Sequence, residues 1–167
     1  DRARAAKADC LEVSAAVLAK LAAKDNPQSV MGVLRPRWAA PPDVRRAPRE
    51  RRGERQGERG GELWLALEEV RDPGNLGTII RTVDAVGAKG VILFGQSCDP
   101  YSREAVRATM GSIFSVPLVK VERDGFLDWL AGWTGDVVGT HLAGCDDFRA
   151  VAYRDPVLLV MGSEGPG

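Results

Sequence analysis

The sequence DPGNLGTIIRTVDAVGA, residues 72–88, joins a turn, the start of a helix and an arginine within seventeen residues. Its first three residues are typical of a tight turn, since proline presets φ and glycine tolerates positive φ. Asn75 is a good N-cap, which predicts a helix over residues 76–86 whose apolar side chains recur at helical spacing. Gly87 fits the position just past the C terminus of that helix.

Apolar runs at residues 63–67 and 91–94 flank this stretch and read as strands. The whole is then a strand–loop–helix–strand unit, with a polar cluster where the first strand ends. In open α/β sheets, ligands bind at the carboxyl ends of the strands. The stretch therefore predicts both a fold class and the place of a binding site.

The rest of the chain from Glu62 onward continues the alternation of strands and helices. This pattern predicts an α/β domain with a mostly parallel sheet and helices on both faces. Ser102 and Asp124 are the expected N-caps of two further helices. The further strands are expected at 116–119, 136–140 and 157–161, and the further helices at 103–109 and 125–133.

The first part of the chain has a different character. Residues 10–24 predict a short helix with Ser14 as its N-cap, and residues 29–34 predict a strand. One helix and one strand are too little to stand alone, so residues 1–38 are interpreted as the end of a domain. Residues 39–61 are rich in proline, glycine, arginine and glutamate, which predicts a flexible linker. That linker is either a passive tether or an arm that contacts RNA.

Charge is distributed unevenly along the 167 residues. Residues 1–62 hold 14 lysines and arginines against 9 acidic residues, whereas the remainder holds 9 against 14. A basic first part suits a polyanionic partner, although composition alone slightly favours a solvated, flexible charged linker. No apolar run approaches the roughly 20 residues of a membrane span. The three cysteines are too far apart for a metal knuckle and are interpreted as reduced thiols of a cytoplasmic protein.

Three groups of residues are candidates for chemistry. Asn75 and Arg81 are about one and a half helical turns apart, with Gly77 between them where another backbone could approach closely; spacing alone favours a capping asparagine and a solvent-facing arginine. The glycine-rich residues 162–167 after the last strand could let a ligand touch the backbone, but they match neither the dinucleotide nor the phosphate-loop pattern. Thr140-His141-Leu142 contains the only histidine, so a histidine dyad is excluded.

Two of these groups carry a family resemblance. Residues 72–88 resemble the first signature of the SpoU/TrmH family of RNA 2′-O-ribose methyltransferases in the SPOUT superfamily, and LLVMGSEGPG at 158–167 resembles the second. Residues 107–117 are similar to the family's intervening segment. Residues 62–167 would then be the catalytic domain, and residues 1–38 resemble the end of the family's RNA-binding domain.

The resemblance implies an α/β fold with a deep trefoil knot, S-adenosylmethionine as methyl donor, and no metal. It also implies a homodimer in the cytoplasm, with no membrane partner, acting on ribosomal RNA rather than transfer RNA. Arg81, Asn75 and Glu164 match catalytic positions of the family. The resemblance implies that Arg81 stabilises the charge on the attacking oxygen and that Asn75 orients Arg81 or the phosphate. Glu164 is expected to hold backbone amides of its loop. The positions implied to bind the cofactor are Thr140, His141, Leu142, Gly162 and Gly165.

The sequence departs from the family pattern at its end. A third signature, a Ser-Leu-Asn segment followed by a helix, is not found among these 167 residues. We therefore expect that the chain as it stands neither completes the knot nor binds the cofactor tightly. The alternatives are a transfer RNA 2′-O-methyltransferase and a catalytically inactive knotted RNA-binding protein.

Overall fold

The computed structural model describes residues 5, 8–23, 28–43, 61–141, 144 and 147–162. The chain divides into two compact units, Asp1–Pro36 and Arg37–Gly167. In the first unit, helix α1 spans Ala15–Ala22, and the Ser14 hydroxyl accepts the N–H of Val17 at 3.4 Å, which confirms the predicted cap.

The strand predicted at residues 29–34 is wrong, because these residues form no strand in the structure. Val30, Val33 and Leu34 are all exposed there. A strand exists only through hydrogen bonds to a neighbour, and β-propensity alone does not supply one.

The second unit is built on one five-stranded sheet, in which every pair of neighbouring strands is parallel. The strand order is β3-β2-β1-β5-β4, so the first strand of the unit lies at the centre. The strands are β1 Leu63–Glu68, β2 Gly90–Phe94, β3 Leu118–Val121, β4 Val137–Gly139 and β5 Val157–Met161.

Helices cover both faces of this sheet, which confirms the predicted α/β architecture. They are α2 Pro73–Ala85, α3 Arg103–Ala108 and α4 Arg123–Leu130, with a 3₁₀ turn at Ser112–Phe114. On one face α2 buries Leu76 and Ile80 in a core with the side chains of β1 and β2. On the other face Phe126 of α4 stacks on Phe94 of β2. Among the described ranges, no helix is long and apolar enough to cross a bilayer.

The N terminus of α2 differs from the sequence prediction. The N-cap is Asp72, whose Oδ1 accepts the N–H of Asn75 at 2.6 Å, and the helix includes Pro73 at its first position. Proline suits that position because its φ is helical and its missing N–H would have had no partner. At the other end, Gly87 takes φ +70° and the N–H of Ala88 donates to the carbonyl of Val83 at 3.0 Å, which confirms the predicted stop.

Two other boundaries move for identifiable reasons. The strand predicted at 116–119 begins at Leu118, because Pro117 has no N–H and Val116 donates its own to the Ser112 carbonyl at 3.0 Å. Helix α4 begins two residues early, with Glu122 at the cap position in place of Asp124. Ser102 is confirmed as the cap of α3, since its hydroxyl accepts the N–H of Ala105 at 3.3 Å.

The second unit begins before the sheet, with a segment of extended chain. Ala39 pairs in parallel with Val119 and donates its N–H to the Leu118 carbonyl at 2.8 Å. Further along, the indole N–H of Trp129 donates to the Pro42 carbonyl at 3.0 Å. The first residues of the predicted linker 39–61 therefore lie against the sheet edge, and the boundary between the compact units falls at 36/37. Residues 44–60 of that linker lie outside the described residues, and the assignment of 1–38 to an RNA-binding domain stays a prediction.

Candidate active site

The carboxyl ends of three neighbouring strands form the centre of the candidate site. In the register of the sheet, Leu67 lies opposite Met161, and Gly139 lies opposite Val160. The N–H of Thr140 continues this pairing and donates to the Val160 carbonyl at 3.2 Å. The chain leaves β1 toward β2 on one side, whereas β5 and β4 occupy the other side. This is the topological switch point at which α/β sheets bind ligands.

Three residues that the resemblance assigned to the cofactor come together at this edge. Thr140 and His141 follow β4, Gly162 follows the adjacent β5, and all three are exposed. A side chain added at Gly162 would meet no heavy atom of the described residues within 4 Å. The His141 carbonyl accepts the N–H of Gly144 at 2.9 Å.

The other predicted residues of this group, Leu142, Glu164 and Gly165, lie outside the described residues. Their roles stay predictions.

Helix α2 positions the remaining two candidates. Asn75 lies in its first turn, just after the carboxyl end of β1, and its backbone N–H is held by Asp72. Arg81 lies six residues further, about 9 Å along the axis, and the helix runs back toward the start of β2. Both side chains are exposed. The Arg81 side chain makes no hydrogen bond or ion pair with any residue of the described ranges.

The position of α2 is fixed by a close crossing with α3. Gly77 is buried there, and a Cβ added to it would lie 2.5 Å from the Ala105 carbonyl oxygen and would also clash with the Ala108 side chain. The two helices therefore approach to a distance that only glycine permits. This confirms the sequence-based expectation that another backbone approaches at Gly77.

These features carry the family's two signatures, one in the β1–α2 unit and one at the end of β5. Residues 62–167 match the model of the SpoU rRNA Methylase family. The chain belongs to this family.

Individual members of the SpoU family are similar to much of the chain. A 23S rRNA (uridine(2479)-2′-O)-methyltransferase of Streptomyces viridochromogenes is 38% identical over 111 residues, which are 63% of this chain and 39% of that protein. A 23S rRNA (guanosine(2553)-2′-O)-methyltransferase of Bacillus subtilis is 34% identical over 103 residues, 62% of this chain and 42% of that protein. The chain thus spans about two fifths of the length of these relatives.

A solved structure extends the likeness to nearly the whole chain. The AdoMet-bound rRNA methyltransferase of Sinorhizobium meliloti has a TM-score of 0.84 and 43% identity, and the match covers 99% of this chain and 59% of that one. The SpoU fold is therefore confirmed for the sheet and its helices. The trefoil knot stays a prediction, because residues 163–167 lie outside the described part.

Sequence reasoning missed one conformational feature of the loop beside this SpoU site. Glu69, in the loop between β1 and α2, takes φ +51°, a conformation that is strained for a residue with a side chain. Its N–H donates to the Phe94 carbonyl at 3.3 Å, and its carboxylate pairs with Arg71 at 3.2 Å. No local pattern predicts this conformation, although the adjacent acids Glu68 and Glu69 marked the loop as polar.

The described side chains also limit the chemistry of the site. Within the ranges that the structure describes, no group of three or more histidines, cysteines and carboxylates is placed to hold a metal ion. The open backbone beside Gly162 and the exposed Thr140 hydroxyl fit an extended polar organic ligand lying along the sheet edge.

Proposed function

We propose that this chain is the catalytic part of an enzyme that transfers the methyl group of S-adenosylmethionine to a ribose 2′-hydroxyl of ribosomal RNA. The observation that carries this proposal is the pairing of β4 with β5, which brings the strand ends that lead to Thr140 and Gly162 to one edge of the sheet, together with the exposed Arg81 on α2. Two relatives are named for 2′-O-methylation of 23S rRNA at different nucleotides, which supports the RNA class and leaves the nucleotide open.

The sheet edge is proposed to hold the methyl donor, which supplies a methyl group already activated by its sulfonium. Thr140, His141 and Gly162 would contact it there, with Gly162 allowing close approach of the backbone. The ribose oxygen then forms a bond to the methyl carbon as the carbon–sulfur bond breaks, and the hydroxyl proton passes to solvent. Such an in-line displacement depends strongly on alignment, so most of the protein's task is positioning.

Arg81 is proposed to bind the phosphate next to the target ribose and to stabilise the charge that develops on the attacking oxygen. A guanidinium pairs with phosphate oxygens in a bidentate geometry, which fixes orientation as well as charge. A guanidinium is a delocalised cation with no lone pair free to accept a proton, so Arg81 is proposed to act electrostatically and not as a general base. Asn75, in the first turn of the same helix, would orient the phosphate or Arg81 itself.

We further propose a cytoplasmic homodimer, as the family resemblance implies. Sedimentation equilibrium of the purified protein tests the dimer, and a monomer at micromolar concentration contradicts it. Fractionation of cells that express the protein tests the location.

The decisive experiment incubates the whole protein, of which this chain is proposed to be the catalytic part, with labelled S-adenosylmethionine and undermodified ribosomal RNA. Label should enter the RNA, and Arg81→Ala should slow transfer by about a hundredfold or more, the usual effect of removing one donor that stabilises transition-state charge. Arg123→Ala is the matched control, because Arg123 is equally a surface arginine but lies on α4, on the other face of the sheet. Its pair with Glu68 joins an exposed guanidinium to a half-buried carboxylate at 3.5 Å and contributes about 0–1 kcal/mol.

Two results would contradict the proposal. Label that enters the RNA equally well with Arg81→Ala removes the proposed role of the arginine. RNA that binds but stays unlabelled with the wild-type protein favours the inactive RNA-binding alternative.

A further inference from the structure

The turn between α3 and β3 exposes two large apolar side chains. Met110 is 76% exposed and Phe114 is 72% exposed, and only Gly111 and two inward-facing residues separate them. Single exposed apolar residues are ordinary on protein surfaces. Two long apolar side chains on one short turn form a small surface on which a flat ligand could lie.

The backbone of this turn is held in an unusual conformation. Met110 takes φ +51° and Gly111 takes φ +105°. Thr109 is fully buried beneath them; its hydroxyl donates to the Val106 carbonyl at 2.7 Å and accepts the N–H of Gly111 at 3.4 Å. A methionine at positive φ persists only where the surroundings determine it, so Thr109 fixes the direction in which Met110 leaves the turn.

The 3₁₀ turn fixes Phe114 in the same way. The N–H of Phe114 donates to the Gly111 carbonyl at 3.1 Å, and Val116 donates to Ser112 at 3.0 Å. Ser112 is buried, and Ile113 packs against the core under α2. The interior is thus filled by the two preceding residues, and the ring of Phe114 stays outside. An aromatic ring presented on a rigid backbone loses little freedom when it binds a partner.

The helices that border this turn carry exposed arginines. Arg107 lies in the last turn of α3, directly before the turn. Arg81 follows Gly77 by four residues on α2, which puts it one helical turn beyond the contact with α3 and on the same side of the helix. Arginines outnumber carboxylates among the exposed charged side chains of the two helices here, which are Arg81, Asp84, Arg103, Glu104 and Arg107.

We propose that Phe114 and Met110 form a stacking platform for a base of single-stranded RNA, with the neighbouring arginines taking the phosphates on either side. Proteins that bind single strands combine these two elements, aromatic faces for bases and basic side chains for the backbone. Every base has a π-face, so the platform positions the nucleotide near Arg81 without reading its identity. This inference rests on the proposed function, because RNA is the substrate of that function.

The test measures the binding of a short single-stranded oligoribonucleotide that carries one 2-aminopurine, whose fluorescence is quenched by stacking. Wild-type protein should quench the probe. Phe114→Leu should abolish the quench and weaken binding about tenfold, the scale of losing one base–aromatic stack, whereas Phe114→Trp should retain both. Phe148→Leu is the matched control, because Phe148 is also 72% exposed and lies in the loop between β4 and β5.

Unchanged quench and affinity in Phe114→Leu would overturn the proposal. So would a wild-type dimer that Phe114→Leu converts to a monomer in sedimentation equilibrium, since the surface would then be covered by a second copy of the chain. The two proposals can fail separately. If the quench depends on Phe114 but wild-type protein transfers no methyl group, the proposed activity is contradicted and the platform is supported. If wild-type protein transfers the methyl group but the quench is the same in Phe114→Leu, the platform is contradicted and the proposed activity is supported.

Discussion

The crossing of α2 and α3 gives the sharpest test of how the candidate site is held. In Gly77→Ala, the new Cβ would stand 2.5 Å from the Ala105 carbonyl oxygen, whereas ordinary contacts begin at 3.4 Å. The two helices must therefore separate by about 0.9 Å, because the obstacle is backbone and cannot rotate away. Helix α2 carries both Asn75 and Arg81, so the same separation displaces the proposed catalytic residues.

Two terms of opposite sign set the expected magnitude. Overpacking a close contact of this kind costs about 1–3 kcal/mol. Replacing glycine by alanine inside a helix returns about 0.5–1 kcal/mol. We expect Gly77→Ala to lower the free energy of unfolding by up to about 2.5 kcal/mol, after both terms are counted. A displacement of about 1 Å can cost up to a hundredfold in the rate of methyl transfer.

Gly125→Ala is the matched control, because Gly125 lies in helix α4 with no heavy atom within 4 Å of an added Cβ. It should gain about 0.5–1 kcal/mol, so the two variants should differ by about 1–3 kcal/mol, the cost of the overpacked contact alone. Urea unfolding measures both, with the midpoint shifting and the slope m unchanged. Equal stability of the two variants would refute the reasoning, since it would mean that the crossing tolerates a side chain.

Two further predictions concern the core and the pH dependence of stability. Ile80→Ala removes a fully buried side chain of α2 and should lower the free energy of unfolding in urea by about 2–5 kcal/mol. Val86→Ala is the control, because Val86 is 63% exposed, and it should change that free energy by no more than about 0.5 kcal/mol. Similar losses in the two variants would contradict the assignment of the core. The backbone N–H of Arg154, and then its side chain, lower the pKa of Asp136. A carboxylate with a depressed folded pKa stabilises the protein above its unfolded pKa of about 3.9 and loses that contribution as pH falls through the folded pKa. The advantage in Tm of wild-type protein over Asp136→Asn should thus be present at neutral pH and shrink below about pH 4, and an advantage that is independent of pH would remove the argument.

Local signals predicted the elements whose hydrogen bonds are local. Ser14 and Ser102 cap their helices as expected, and Gly87 ends α2, because each of these bonds joins residues within five positions of one another. Strand Val157–Met161 was predicted residue for residue, since an apolar run of five is bounded by Pro156 and Gly162. The start of α2 was predicted wrongly, because Asp72 and Asn75 are both good caps and local pattern does not choose between them.

The sequence predicted which residues belong to the candidate site, but not how they lie relative to one another. Asn75 and Arg81 were found from the signature, but their spacing on α2 says nothing of what lies across from them. Thr140 and Gly162 are 22 positions apart and meet because β4 and β5 pair. The positive φ of Glu69 has no sequence signal, since it follows from the hydrogen bond to Phe94 on the neighbouring strand.

By itself, the sequence determined the family, the α/β class and most helix ends, because signatures, hydrophobic periods and caps are properties of short stretches. Only the tertiary structure decided the strand order, in which β5 enters between β1 and β4. It also decided that residues 29–34 are not a strand and that Ala39 joins the sheet edge. The physical reason is the same in each case, because a strand forms only with a hydrogen-bonded partner. The hydrophobic pattern predicts which side chains are buried, but not which strands pair.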